Sequence, residues 1–116
     1  MTLQIVDGPV ILEDESLSDG ADCSAGDIVR ITIPQEFTDA NLTFQVSTDG
    51  VYYNDLYSAA GSEITISAKP DTAIVIRDEV WGKAINFIKI RSGTRAHPVK
   101  QEVECRLAIA IDVPNA

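Results

Sequence analysis

Histidine, methionine and tryptophan occur once each in this 116-residue chain, and cysteine only twice. Two cysteines and His97 cannot close a four-ligand zinc site without borrowing carboxylates. His97 stands beside Pro98 in loop-like surroundings, where an imidazole is ordinarily exposed to solvent. There is no G-x-S-x-G elbow, no glycine-rich phosphate loop and no H-E-x-x-H helix. The carboxylate pairs Asp14-Glu15 and Asp78-Glu79 are adjacent in sequence. On strands, adjacent side chains point to opposite faces, so such pairs are poorly placed for acid/base work. These shortages predict a protein that is not an enzyme and holds no cofactor or metal.

Basic residues are also scarce: nine Lys and Arg stand against eighteen Asp and Glu, a net charge of −9. Binding to phosphate backbones needs clustered cations. Only Arg91, Arg95 and Lys100 form a loose group, so no nucleic-acid partner is expected. No apolar run approaches the roughly 18 residues of a membrane span, and none is expected to enter a bilayer. The start, MTLQIVDGPVILEDE, lacks the basic, apolar and small-residue zones of a secretory signal, which predicts synthesis in a cytoplasm. Acidic residues crowd the stretch Glu13, Asp14, Glu15, Asp19, Asp22 and Asp27. It reads as a solvated loop, with a calcium site or a surface for a basic partner as alternatives; its spacing is not that of an EF-hand.

Long helical stripes are missing too, and what remains is alternation with a period of two. In 28–33, Val29, Ile31 and Ile33 share one face against Arg30 and Thr32, and Pro34 should end that strand. In 42–48, Leu42, Phe44 and Val46 oppose Thr43, Gln45 and Ser47. Asp49-Gly50 is hairpin chemistry, with VYYNDLY as the expected return strand. Further strands read at 63–67 and 73–77, separated by a Lys69-Pro70-Asp71 turn. In 85–91, Ile88 and Ile90 share a face. The longest alternation comes last, with Val103, Cys105, Leu107, Ile109, Ile111 and Val113 on one side. Residues 34–41 and 78–84 have room for a single helical turn each. A chain of this length fits one domain, burying about 65% of its unfolded surface. Seven or eight short strands predict an all-β, antiparallel β-sandwich with little or no helix.

Tyr52, Tyr53, Tyr57 and Trp81 are the candidate aromatic contact surface. The plainer alternative has Tyr57 and Trp81 closing the ends of the sandwich while one of Tyr52 and Tyr53 faces solvent. Two short β-like runs, at 3–6 and 9–13, flank Asp7-Gly8-Pro9 and suggest a hairpin or an arm reaching a neighbour. The division expected is an N-terminal strand or arm over 1–15 and a sandwich domain over 16–116. Cys105 falls on the apolar face of its strand and is expected to be buried. Cys23 lies in a polar stretch, leaving open two free thiols, an interchain disulfide through Cys23, or an intrachain bond.

Two resemblances extend this reading. Ser47-Thr48-Asp49-Gly50, then Tyr52-Tyr53, then Phe87-Ile88-Lys89-Ile90 resemble the discoidin or galactose-binding-like sandwich, which implies a jelly-roll-like arrangement. The longer string SLSDGADCSAGD, ITIPQEFTDANLTFQVSTDGVYYNDLY, GSEITI and WGKAINFIKIRSGTRAHPVKQEVECRL resembles a group of small phage and prophage proteins found among virion structural genes. The matching positions include Pro34, Phe37, Thr38, Ala40, Leu42 to Gln45, Asp55 to Tyr57, Gly61 to Glu63, Lys89 to Thr94, Pro98, Val99 and Gln101. The resemblance implies a structural component of a tailed-phage virion: a capsid decoration, head fibre, collar or neck, or tail-associated protein. Other virion proteins and copies of the same chain would be its partners. The alternative is a carbohydrate- or receptor-binding module on the particle, with a host-surface glycan as ligand. Residues 1–15 lie outside the pattern, and Cys23 occupies a position where the family tolerates small residues.

Overall fold

The computed structural model describes residues 2–77, 79–83 and 85–114. Their strands are β1 (Thr2–Ile11), β2 (Ala21–Asp22), β3 (Asp27–Ile33), β4 (Leu42–Ser47), β5 (Asn54–Asp55), β6 (Thr72–Val75), β7 (Phe87–Ser92) and β8 (Cys105–Val113). A short 3₁₀ turn, Val80–Lys83, precedes β7. The strands form two four-stranded sheets, ordered β1-β8-β3-β6 and β2-β7-β4-β5, with every pairing antiparallel. The chain changes sheet at each connection except β4 to β5. That connectivity is the jelly roll, in which two Greek keys wrap around one core. The expected all-β sandwich is what this chain forms.

Alternation sorts the side chains between core and surface. Val6, Ile109, Ile31 and Ile74 align in register across the four strands of the first sheet and face inward. Leu42, Phe44, Ile88 and Ile90 face them from the second sheet, each fully buried. Leu107, Ile109 and Ile111 are likewise buried, at about 1.5–3 kcal/mol each for removal from water. Val103 departs from the expected pattern: it precedes β8 and is exposed. Strand β3 ends at Ile33, one residue before Pro34, as the missing N–H of proline requires.

Four local expectations are corrected. In β3 the register to β8 slips between Ile28 and Arg30, so Ile28, rather than Val29, joins Ile31 and Ile33 in the core cluster. An extra residue in one strand breaks alternation, and no period-two reading anticipates it. The aromatic return strand shrinks to Asn54–Asp55, because 48–53 is a broad loop rather than a tight hairpin. Asp49 explains this: its Oδ1 accepts the backbone N–H groups of Val51 and Tyr52, holding them in a turn and away from a ladder. The expected strand at 63–67 reduces to isolated pairings, Tyr57 with Glu63 and Leu42 with Ile66. In 34–41 the backbone turns without making a helix, whereas the later single turn is present as Val80–Lys83.

Of the strand-or-arm expectation for the N-terminal segment, the strand is what is seen. β1 is one strand registered against β8 from Thr2 to Ile11, interrupted only between Asp7 and Val10. Ile11 is fully buried and Val6 packs on the core. Residues 2–11 therefore belong to the sandwich. The acidic stretch that follows is tied down by its own carboxylates. Asp19 Oδ1 accepts the Val10 N–H at 2.8 Å, and Asp22 Oδ1 accepts from both the N–H and hydroxyl of Ser24. Among the described residues, no group of three or more His, Cys, Asp or Glu is placed to hold a metal ion.

Candidate functional site

Strand β7 carries a dense polar network on its outer face. Its odd positions face away from the core, since Ile88 and Ile90 are the ones buried inside. Lys89 aligns with Gln45 and Asp55, and Arg91 with Thr43, on the outer face of the second sheet. Arg91 is nevertheless only 7% exposed. Its Nη2 donates to Asp55 Oδ1 at 2.6 Å, and its Nη1 to Glu63 Oε2 at 3.2 Å and Thr43 Oγ1 at 3.3 Å. Arg95 adds Nε to Asp55 Oδ2 at 3.4 Å and its backbone N–H to Glu63. One guanidinium thus ties β7 to β5, to the segment around Glu63 and, through Thr43, to β4. Burial by itself would raise the Asp55 carboxyl. Hydrogen bonds from Arg91 and Gln45, with the charges of Arg91 and Arg95, outweigh it and hold the group below the usual range.

The motif positions that carry the resemblance converge on this network and on a second one. Asp55, Glu63 and Arg91 belong to DLY, GSE and KIRSGT respectively. Gly93 follows with φ +87°, and a Cβ there would strike the backbone of His97 and Val99, so the S-G-T turn needs glycine. The Ser92 hydroxyl donates to the Val99 carbonyl beyond that turn. Gln101, fully buried, accepts the Thr38 N–H through Oε1 at 2.7 Å and donates to the Thr38 carbonyl through Nε2 at 3.1 Å. Phe37, beside it, is buried in the core. These polar side chains spend their hydrogen bonds on connecting loops to strands. They hold the fold and leave little to offer a ligand.

The four candidate aromatics do not meet. Tyr52 is 73% exposed on the 48–53 loop. Tyr53 is half-buried, with Lys89 Nζ 4.5 Å from its ring centroid. Burial first, then the charges of Asp19, Asp22 and Asp49, raise its phenol. Tyr57 is exposed and pairs through its backbone with Glu63. Trp81 stands on Phe44, ring centroids 4.9 Å apart and tilted by 35°. No ring contact joins the three tyrosines to one another or to Trp81 among the described residues. Trp81 instead lines an open cleft of about 500 Å³ with Ser58, Ser62, Thr65, Ser67 and Glu79, a feature the sequence reading missed. Strand assignment at 63–67 hid it, because a regular strand would have closed that side of the sandwich.

Cys23 is the clearest correction. Far from standing exposed in a polar loop, it is fully buried in the same core cluster as Cys105, and both thiols are free. Its backbone N–H donates to Asn86 at 2.7 Å, which turns the side chain of this loop inward. An interchain disulfide through Cys23 would need that thiol at the surface. Burial, helped by the charge of Asp22, pushes the Cys23 thiol up to about 12. Burial, then the charge of Glu36, raises Cys105 as well. A maleimide at mild alkaline pH is expected to label neither thiol in the native protein and both in denaturant. Rapid native labelling of Cys23 would contradict its place in the core.

Compared with protein-family models the chain finds no match, and compared with curated proteins it finds none. No helix among the described residues is long and apolar enough to cross a membrane.

Proposed function

We propose that this protein is a non-enzymatic structural component of a tailed-phage virion, working by packing against other proteins of the particle. The observation that carries the reading is the ordered motif from Ser16 to Leu107, whose polar residues Asp55, Glu63, Arg91 and Gln101 are engaged in internal ties. A small domain that must survive outside a cell gains from such cross-links between loops. The jelly roll is compatible, since it recurs in capsid and lectin domains, but a fold by itself does not name a function. The outer face of the first sheet adds a surface for assembly. Ile5, Ala110, Arg30 and Val75 align across its four strands, with Ala108 and Ala73 in the next row. Exposed Ile5 and Val75 at its two edges make that face partly apolar, with Arg30, Thr32 and Asp7 sharing the same rows, a mixture that suits contact with another protein. Mass spectrometry of purified virions from a phage encoding the chain tests the reading. The expected result is the protein at a fixed copy number relative to the major capsid protein; its absence from the particle refutes the proposal.

A saccharide ligand is the second reading, and one feature favours it: Trp81 beside four hydroxyl side chains and Glu79 in the cleft. Apolar stacking with a few polar groups is how such pockets hold sugars. A glycan array followed by Trp81→Ala would decide it, with binding lost in the variant.

A further inference from the structure

We infer that β1 is a self-association edge through which two copies of this chain pair antiparallel about a two-fold axis, joining their first sheets into one eight-stranded sheet. β1 is the outer strand of its sheet, so one row of its backbone N–H and C=O groups points away from β8. Its far half is closed off. Asp19 takes the Val10 N–H on its carboxylate and donates its own N–H to the Val10 carbonyl. Among the described residues, no such hydrogen bond covers Leu3 to Val6. The edge is open there, with Leu3 and Ile5 50% and 54% exposed.

Folded proteins ordinarily blunt such an edge with charge, proline or a bulge. In β1 a charge, a proline and a register irregularity occur only from Asp7 onward, and none of the chain's nine basic and eighteen acidic residues lies in Thr2–Val6. That gap decides the occupant. Two copies, each carrying −9, meet no like side-chain charge along this segment. The segment is also complementary to itself. A two-fold axis at Gln4 sets Leu3 of each copy against Ile5 of the other on the outer face. It also sets the two Gln4 amides opposite one another, where each can donate and accept. The other edge of this sheet, β6, is only four residues long and borders the Trp81 cleft. A single strand pair buries less than about 1,200 Å², the low end for specific contacts, so the dimer is weak and reversible.

The inference concerns the chain by itself and stands whether or not the virion reading holds. Sedimentation velocity across micromolar to millimolar concentrations should show a monomer–dimer equilibrium that strengthens as salt is added, because salt screens the mutual repulsion. A monomer throughout, or a dimer that dissociates with added salt, overturns the proposal. Leu3→Lys with Ile5→Lys should abolish dimerisation while leaving the melting transition near that of the parent. Dimerisation undiminished in that variant also overturns it. Should the double variant fail to fold, Gln4→Cys decides: oxidation should cross-link it into dimers, since Cys23 and Cys105 are buried. A Thr32→Cys control on β3 should stay monomeric. Equal cross-linking of the two variants, or none of Gln4→Cys, refutes the axis.

Discussion

Arg91→Met is expected to lower the unfolding free energy by about 3–5 kcal/mol, the usual cost of removing one partner from a buried ion pair. The side chains of Asp55 and Glu63 are only 17% and 15% exposed, and both would lose their main counter-charge. In a domain whose whole stability is about 5–15 kcal/mol, this is a large share. Urea titration followed through the fluorescence of Trp81, the single tryptophan, measures it. Arg91→Lys should fall in between, since an ammonium cannot reach both carboxylates in the fork geometry of a guanidinium. Adding Asp55→Asn and Glu63→Gln to Arg91→Met should restore part of the loss, because neutral amides are cheaper to bury than orphaned charges. A loss below about 1 kcal/mol in the single variant would show the network to be ornamental.

The pH dependence has a definite sign. The Asp55 carboxyl is depressed in the folded protein, so its contribution is present above the unfolded value and is lost as pH falls through the folded one. The parent should therefore lose stability on acidification from about 4 downward. In Arg91→Met only the exposed Arg95 guanidinium remains beside Asp55, and burial dominates. Protonation then relieves the site, and the gap between variant and parent should narrow as pH falls. A gap that widens in acid would contradict the assignment.

Deleting residues 1–11 is expected to leave no cooperatively folded domain. Truncating a fully buried isoleucine such as Ile11 costs about 2–5 kcal/mol by itself. The deletion also strips β8 of the neighbour registered along it from Thr2 to Ile11, uncovering Leu107 and Ile109 at a new edge. Circular dichroism melting should lose its sigmoidal transition, with aggregation following from the exposed strand. A truncated protein with a parent-like melt would restore the N-terminal arm, and with it a role for residues 1–11 in attachment only. The two segments look alike in sequence terms, since an arm that adds to a neighbour's sheet and a strand that adds to its own share one pattern. The partner strand lies about a hundred residues away, and only the folded chain says whose it is.

The same division runs through the molecule. Which side chains enter the core at Leu42, Phe44, Ile88, Ile90, Leu107, Ile109 and Ile111 was legible in the sequence. Burial of one face of a strand imposes a period of two, and that period is local. Pro34 marked its strand end for an equally local reason, a missing N–H. Arg91 was visible as one of a loose group of three cations, but its partners Asp55 and Glu63 lie 36 and 28 residues earlier. Pairing at that distance is set by which strands become neighbours. Cys23 had only polar neighbours in the chain, and its burial came from a loop pinned to Asn86. The tyrosines and Trp81 had the composition of a stacking surface, yet Tyr52 and Tyr53 share one loop while Tyr57 and Trp81 lie on others. Composition and alternation determined that this is an all-β sandwich and which strand residues form most of its core. Strand order, the Arg91 network, the buried thiols and the fate of β1 were decided only by the tertiary structure, because each depends on contacts between segments whose separation no local pattern encodes.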